Sequence, residues 1–217
     1  MNEQKIISET IEFVKQTLQG AEGGHDWWHI ERVHNNTKKI AAMEPANMFI
    51  AELGALLHDI ADAKFHGGDE NIGPQKAKEF LQALKVDEAI IDHVENIIRN
   101  ISFKGGNFRS GFSSPELAVV QDADRLDAMG AIGIARAFNY GGFKNREIYN
   151  PNIPPAMEMD KEAYKKSSAP TINHFYEKLL LLKDRMNTVT GKKMAAERHE
   201  FMLQYLEQFY KEWEGVK

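Results

Sequence analysis

The sequence LLHDIADAK, residues 56–64, carries three titratable side chains in a segment otherwise patterned for a buried helix. They are His58, Asp59 and Asp62, and the preceding residues ELGALL carry a single charge, at Glu52. Burying a carboxylate and an imidazole costs several kcal/mol unless the two pair with each other or bind a metal ion. One His-Asp pair can satisfy itself, so a metal site here requires ligands from other segments.

A second group of polar residues occurs in HDWWHIERV, residues 25–33. His25 and His29 are four residues apart and Arg32 follows His29 by three, so all three share one face of a helix. Asp26 is expected to cap that helix through its side chain, which leaves His25 outside it. His29 is therefore the better candidate ligand, and Arg32 lies one turn further along.

A third group occurs in DADRLDAMGAIG, residues 122–133, within an otherwise small and apolar helix. Asp124 and Asp127 are three residues apart and face the same way, toward the interior if that side is buried. Two carboxylates on an apolar face need cations, which can be a metal ion or the guanidinium groups of Arg32 and Arg125. The small residues that follow Asp127 allow another backbone or a substrate to approach closely.

Helical periodicity of the apolar residues dominates the rest of the chain, and no segment with good flanking turns alternates with the period of a strand. The sequence therefore predicts an all-α helical bundle with one long irregular loop and a C-terminal helical pair packed on it, in a single domain of residues 1–217. The predicted helices cover residues 3–19, 27–43, 46–64, 74–84, 87–101 and 115–138, the loop covers about 140–170, and the final pair covers about 171–187 and 192–213.

Composition narrows the class of protein. The 217 residues include no cysteine, which excludes disulfides, thiolate catalysis and cysteine-ligated zinc. The net charge of −5 argues against non-specific nucleic-acid binding, which needs a basic surface. No apolar run approaches the roughly 18 residues that span a membrane, and residues 1–18 lack the continuous apolar core of a signal peptide. We expect a cytoplasmic protein with no membrane or nucleic-acid partner.

Three ordered segments together resemble the HD-domain superfamily of metal-dependent phosphohydrolases, whose pattern is H…HD…D on an all-α core. The resemblance covers roughly residues 20–140 and depends on the joint spacing of the segments. The stretches DADRLDAMGAIGIARAF and YGGFKNREIYNP also resemble a bacterial subgroup of small HD proteins, some of which act as nucleotide pyrophosphohydrolases. The three segments are His29-x-x-Arg32-Val33, His58-Asp59 and Ala123-Asp124-Arg125-Leu126.

The resemblance implies that His29, His58, Asp59 and Asp124 bind one divalent metal ion. Two imidazoles and two carboxylates make a nitrogen and oxygen donor set that suits Mn, Fe, Co, Ni, Zn or Mg, with no thiolate to select a softer ion. Among these we expect Mn. Four ligands leave open coordination positions, which a catalytic site needs and a structural site lacks.

Three further residues are candidates for catalysis and substrate binding. Asp62 lies at the offset from the His-Asp pair where some nucleotidases of the family carry an acid, which implies a role in activating the attacking water; orienting His58 is the alternative. Arg32 offers a planar guanidinium that matches phosphate, with a salt bridge to a nearby acid as the alternative. Lys64 contacts phosphate or is solvated, because the HDIGK pattern of other members places its lysine at the position of Asp62.

The expected function is hydrolysis of a phosphate ester or anhydride in a small phosphorylated molecule, with a nucleotide as the expected substrate. Conversion of a nucleoside triphosphate to a monophosphate and pyrophosphate is one form of this reaction. A non-catalytic nucleotide- or metal-binding module is the alternative, and an oxygenase with two irons would need further ligands, for which the sequence offers only His93.

Two further expectations concern the tryptophans and the oligomeric state. Trp27 and Trp28 are expected to pack in the protein interior rather than to form a platform on which a base stacks. The sequence leaves the oligomeric state open, with a homodimer through an apolar helix face as one option.

Overall fold

The computed structural model describes residues 2–20, 26–61, 69, 71–101, 111–157 and 168–216. Every regular element in these ranges is a helix, which confirms the prediction of an all-α fold. None of the helices in this part of the chain combines the length and the apolar character needed to cross a bilayer. The α-helices are α1 Glu3–Thr17, α2 Trp27–Ala41, α3 Met48–Leu57, α4 Ile72–Ala83, α5 Glu88–Asn100, α6 Pro115–Asp127, α7 Gly130–Phe143, α8 Asn173–Glu177 and α9 Val189–Trp213, and a 3-10 helix covers Leu179–Arg185.

Residue contacts group the chain into two compact units, Met1–Asp124 and Arg125–Lys217. Each unit is described separately below. The prediction that the C-terminal helices pack on the region of the metal ligands in one domain stays a prediction.

The first unit is built around α3. Seven of its ten residues are buried, and α1, α2 and α5 contact it. Leu53, Leu56 and Leu57 are completely buried, and burying each such side chain stabilises the fold by about 1.5–3 kcal/mol. A helix that is apolar on all sides lies in the interior of a protein. His58 and Asp59 therefore follow directly from the most buried helix of this unit.

Polar side chains determine where the helices of the first unit begin. The carboxylate of Asp26 accepts a hydrogen bond from the backbone N–H of His29 at 3.0 Å, as the sequence predicts. The hydroxyl of Ser114 accepts one from the N–H of Leu117 at 3.0 Å, and Asn47 caps α3 in the same manner. Each cap satisfies an N–H that has no partner within its helix. These bonds fix the first turns of α2 and α6, the two helices that carry His29 and Asp124.

The third predicted helix ends earlier than expected. It was predicted to continue to Lys64, but α3 ends at Leu57, and residues 58–61 form a turn. The apolar periodicity continues through the turn, so the pattern alone does not show where the helix ends. The charged part of the segment thus begins at the C-terminal cap of α3 rather than inside the helix.

The long helix predicted over residues 115–138 is also wrong, because the chain turns at Ala128 and Met129 and continues as α7. Gly130 has a φ of +67°, a conformation that L side chains rarely adopt. A Cβ atom on Gly133 would lie 2.3 Å from the carbonyl oxygen of Ala128. The close approach expected near these small residues is therefore made by the chain's own preceding turn.

The C-terminal part of the chain differs from the prediction in detail. The irregular segment begins at Lys144, after the end of α7, and not near residue 140. The helix predicted over residues 171–187 is the short α8 followed by a 3-10 helix, and the last helix begins at Val189. The predicted C-terminal pair is thus present, with a broken first member.

His174 of the second unit is a histidine with an unusual environment. Burial, together with the nearby positive charges of Lys178 and Arg146, lowers its pKa from 6.5 to about 4. A buried imidazole next to cations is therefore neutral at neutral pH. The protonated form is disfavoured in the folded protein, which links folding to pH.

We predict that Gly133→Ala destabilises the protein by about 2–3 kcal/mol, because the new Cβ meets a backbone atom that cannot move aside. Urea unfolding followed by circular dichroism measures this change. Gly142→Ala is the matched control: the glycine lies in the same helix, and nothing lies within 4 Å of its Cβ position. Equal stability of the two variants would contradict the proposed close approach.

We predict that acid weakens the fold through His174. The unfolded chain binds a proton at this residue below about pH 6.5 and the folded protein only below about pH 4, so the free energy of unfolding falls as the pH drops between these values. At about 1.4 kcal/mol per pKa unit, the loss is at most about 3 kcal/mol. Unfolding curves of wild type and His174→Gln between pH 8 and pH 4 measure it.

The difference in the free energy of unfolding between the two proteins at pH 8 measures the packing that the substitution removes. His174 is neutral at that pH, and glutamine does not titrate. A shallower decline of stability in His174→Gln below pH 6.5 is the expected result. Parallel curves over the whole range would show that His174 does not couple folding to pH.

Candidate metal centre

The candidate ligands come from three helices of the first unit. His29 lies in the first turn of α2, which the Asp26 cap holds in place. His58 is the C-terminal cap of α3, and Asp59 follows it in the turn. Asp124 lies in the last turn of α6.

The side chains converge on one point. One ligand atom each from His29, His58 and Asp59 lies within 4.8 Å of the other two. The Oδ1 atom of Asp124 lies 3.6 Å from Nε2 of His29 and 3.9 Å from Nε2 of His58. These separations exceed the length of a hydrogen bond, about 2.7–3.2 Å. They fit donors that share a cation, because metal bonds of about 2.0–2.2 Å place neighbouring ligand atoms roughly 3–4 Å apart.

The orientation of His58 is determined by its own helix. Its Nδ1 atom lies 2.8 Å from the carbonyl oxygen of Ala55. A carbonyl only accepts, so Nδ1 carries the hydrogen and the lone pair of Nε2 points toward the cluster. The rings of His29 and His58 lie edge to face, with centroids 5.4 Å apart. Both Nε2 atoms lie within 4 Å of the same carboxylate oxygen, Oδ1 of Asp124.

The cluster is closed on one side and open on the other. The side chains of His29 and His58 are 3% and 5% exposed, whereas that of Asp124 is 38% exposed. Imidazole nitrogens and carboxylate oxygens together suit a divalent ion of intermediate hardness. The donor set therefore fits the implied metal, and the exposed carboxylate leaves room for water or a substrate on its side.

The structure groups three of the four candidate ligands, His29, His58 and Asp59, and places Asp124 next to the two imidazoles. The role of all four as ligands stays a prediction. Arg32 is half-buried on α2, one turn after His29, and its role in phosphate binding also stays a prediction. Asp62 and Lys64 lie outside the described residues.

Asp127 has a different cation from those expected. Its carboxylate lies 2.6 Å from the guanidinium of Arg136 on α7, a cation that the sequence analysis did not name. Arg125 donates instead to the carbonyl oxygen of Arg185 at 2.7 Å. Asp127, the last residue of α6, therefore links the end of α6 to α7 through Arg136.

Sequence reasoning missed one buried polar pair of the first unit. Nε2 of His34 on α2 lies 2.7 Å from Oε2 of Glu52 on α3. The sequence does indicate that Glu52, a lone acid on an apolar helix, needs a partner, but it does not indicate which residue that is. His93, which was considered as a ligand for a second metal, lies 2.9 Å from the hydroxyl of Ser114, beside the start of α6.

Comparison with known proteins assigns the chain to a family. A family model described as the HD domain matches residues 27–129, which include the four candidate ligands. The uncharacterized protein YpgQ of Bacillus subtilis (strain 168) is 37% identical over 217 residues, which cover 100% of this chain and 98% of YpgQ. The chain belongs to the HD domain family.

Solved structures of HD proteins agree with this assignment over the full length of the chain. An HD-superfamily hydrolase from Bacillus thuringiensis is 45% identical, with a TM-score of 0.80 and coverage of 99% of this chain and 100% of that protein. Bacillus subtilis YpgQ in complex with ADP is 36% identical, with a TM-score of 0.75 and coverage of 98% and 97%. The HD resemblance stated from the sequence is thereby confirmed.

We predict that Asp59→Asn lowers the affinity for Mn²⁺ by more than the roughly 10- to 100-fold that loss of a hydrogen-bond partner of a ligand costs. Isothermal titration calorimetry with MnCl₂ measures the affinity. Asp92→Asn is the control, because Asp92 is an exposed carboxylate paired with Lys78 at 3.5 Å. Unchanged affinity in Asp59→Asn, or an equal loss in both variants, would show that the cluster is not the metal site.

Proposed function

We propose that this HD protein is a divalent-metal-dependent phosphohydrolase whose substrate is a nucleotide. The observation that carries the proposal is a group of two imidazoles and the Asp59 carboxylate within 4.8 Å of one another, with the partly exposed carboxylate of Asp124 3.6 and 3.9 Å from the imidazoles. The hydrolase name of the Bacillus thuringiensis relative supports the reaction class. The ADP complex of YpgQ supports a nucleotide as the substrate.

His29, His58, Asp59 and Asp124 would hold the ion, for which we propose Mn, with Fe, Co, Ni, Zn or Mg as alternatives. When bound, a divalent ion lowers the pKa of a nearby water and polarises a phosphoryl oxygen. The hydrogen bond from His58 to the Ala55 carbonyl keeps the imidazole in the tautomer that can donate its lone pair.

The remaining roles are proposed for three further residues. Water attacks phosphorus, the bond from phosphorus to the leaving oxygen breaks, and a carboxylate, proposed as that of Asp62, accepts the proton of the water. The guanidinium of Arg32 binds phosphoryl oxygens through its two parallel N–H groups. Lys64 is proposed as a second cation for the phosphate. Both cations would favour the charge that develops in the transition state.

We predict turnover of at least one nucleotide when wild-type protein is incubated with MnCl₂ and a panel of nucleoside mono-, di- and triphosphates. Separate assays for phosphate and pyrophosphate identify which bond breaks. EDTA and Asp59→Ala should each reduce the rate to background, because both remove the ion from the cluster. Asp92→Ala should retain full activity.

Two results would contradict the proposal. Full activity and full metal content in Asp59→Ala would remove the cluster from the reaction. Binding of ADP with a rise in melting temperature, but no turnover of any nucleotide with added divalent ions, would favour the non-catalytic binding module instead.

A further inference from the structure

Trp28, which precedes the candidate ligand His29 on α2, exposes its indole. The side chain is 61% exposed, so the expectation that it packs in the interior does not hold. The neighbouring Trp27 behaves as expected: it packs against the apolar core, and the ammonium group of Lys15 lies 5.1 Å from its ring centroid. Two adjacent tryptophans thus have different environments, and only one is covered.

Exposure alone does not indicate a binding role, because single apolar residues on a surface are common. The position of Trp28 on α2 is the second observation. Its Cα atom lies about 3.8 Å from that of His29 along the chain. Successive side chains of a helix diverge by about 100°, so the indole points away from the direction of the buried His29 imidazole and toward solvent.

Helix geometry also relates Trp28 to Arg32. The two are four residues apart and share a face of α2, and Arg32 in turn lies three residues after His29. An aromatic ring, a guanidinium and a metal-ligating imidazole therefore occupy adjacent positions on one helix surface. The Asp26 cap fixes the first turn that presents them.

We propose that Trp28 stacks on the base of the nucleotide whose phosphates lie at the metal cluster, an inference that rests on the proposed function. An indole provides a large flat apolar surface, and every nucleobase has a π-face that can stack on it. Such contact distinguishes nucleotides from phosphate compounds without a ring, and it discriminates weakly among the bases. Trp28 is thus a specificity residue that takes no part in the chemical step.

Tryptophan fluorescence tests the contact directly. The chain has three tryptophans, Trp27, Trp28 and Trp213, and we expect ADP titrated into wild-type protein with MnCl₂ to quench part of the emission. Trp28→Phe should abolish that quench. Trp213→Phe should retain it, because the Trp213 ring, although 52% exposed, already packs against Tyr149 and Phe209.

Affinity and kinetics give the second test. Trp28→Ala should weaken ADP binding and raise KM for the hydrolysed nucleotide by roughly tenfold or more, with kcat little changed, because stacking contributes equally to ground and transition states. Inorganic tripolyphosphate, used as a competitor, has no base. Its inhibition constant should be the same in Trp28→Ala and wild type.

Three results would overturn the inference. They are an ADP quench that persists in Trp28→Phe, an equal loss of affinity for ADP and tripolyphosphate in Trp28→Ala, and a change of oligomeric state by light scattering that shows the indole to be a contact between copies. Failure of the proposed function can be distinguished from failure of the stacking inference. An ADP quench at Trp28 without turnover keeps the stacking contact and removes the hydrolase activity.

Discussion

Two almost completely buried imidazoles and the carboxylate of Asp59 lie within 4.8 Å of one another in the first unit. Oδ1 of Asp124 lies 3.6 and 3.9 Å from the two imidazoles. Such a group gains most from a shared cation, which neutralises the carboxylates and engages both lone pairs. The surrounding helices serve this arrangement: a capped first turn supplies His29, and the end of a buried helix supplies His58 and Asp59.

The resemblance to the HD superfamily names the four candidate ligands, and their role as ligands stays a prediction. Their helix starts were also predictable, since Asp26 and Ser114 are residue types that cap helices. The sequence pattern did not predict which side chains of distant segments contact each other. The contact of His34 with Glu52 depends on how α2 and α3 pack, and no local spacing indicates it.

The points where helices end were the least predictable. The segment after Leu57 keeps its apolar periodicity although the helix has ended, and residues 115–138 keep theirs across a turn. In the second case the backbone decides, because Gly130 adopts a positive φ and Gly133 admits a carbonyl where a Cβ would stand. The periodicity of apolar residues predicts which face of a helix is buried. It does not predict the residue at which the helix ends. The partner of Asp127, Arg136, lies beyond this turn and was missed for that reason.

The early end of α3 has a further effect on the metal cluster. Because the helix ends at Leu57, its C-terminal carbonyl groups lie directly before His58 and Asp59. The aligned peptide dipoles of a helix act like roughly 0.5 of a negative elementary charge at this end. The backbone of α3 thus adds an attraction for cations that no side-chain substitution removes. That attraction grows in proportion to the charge of the ion, so it favours divalent over monovalent cations.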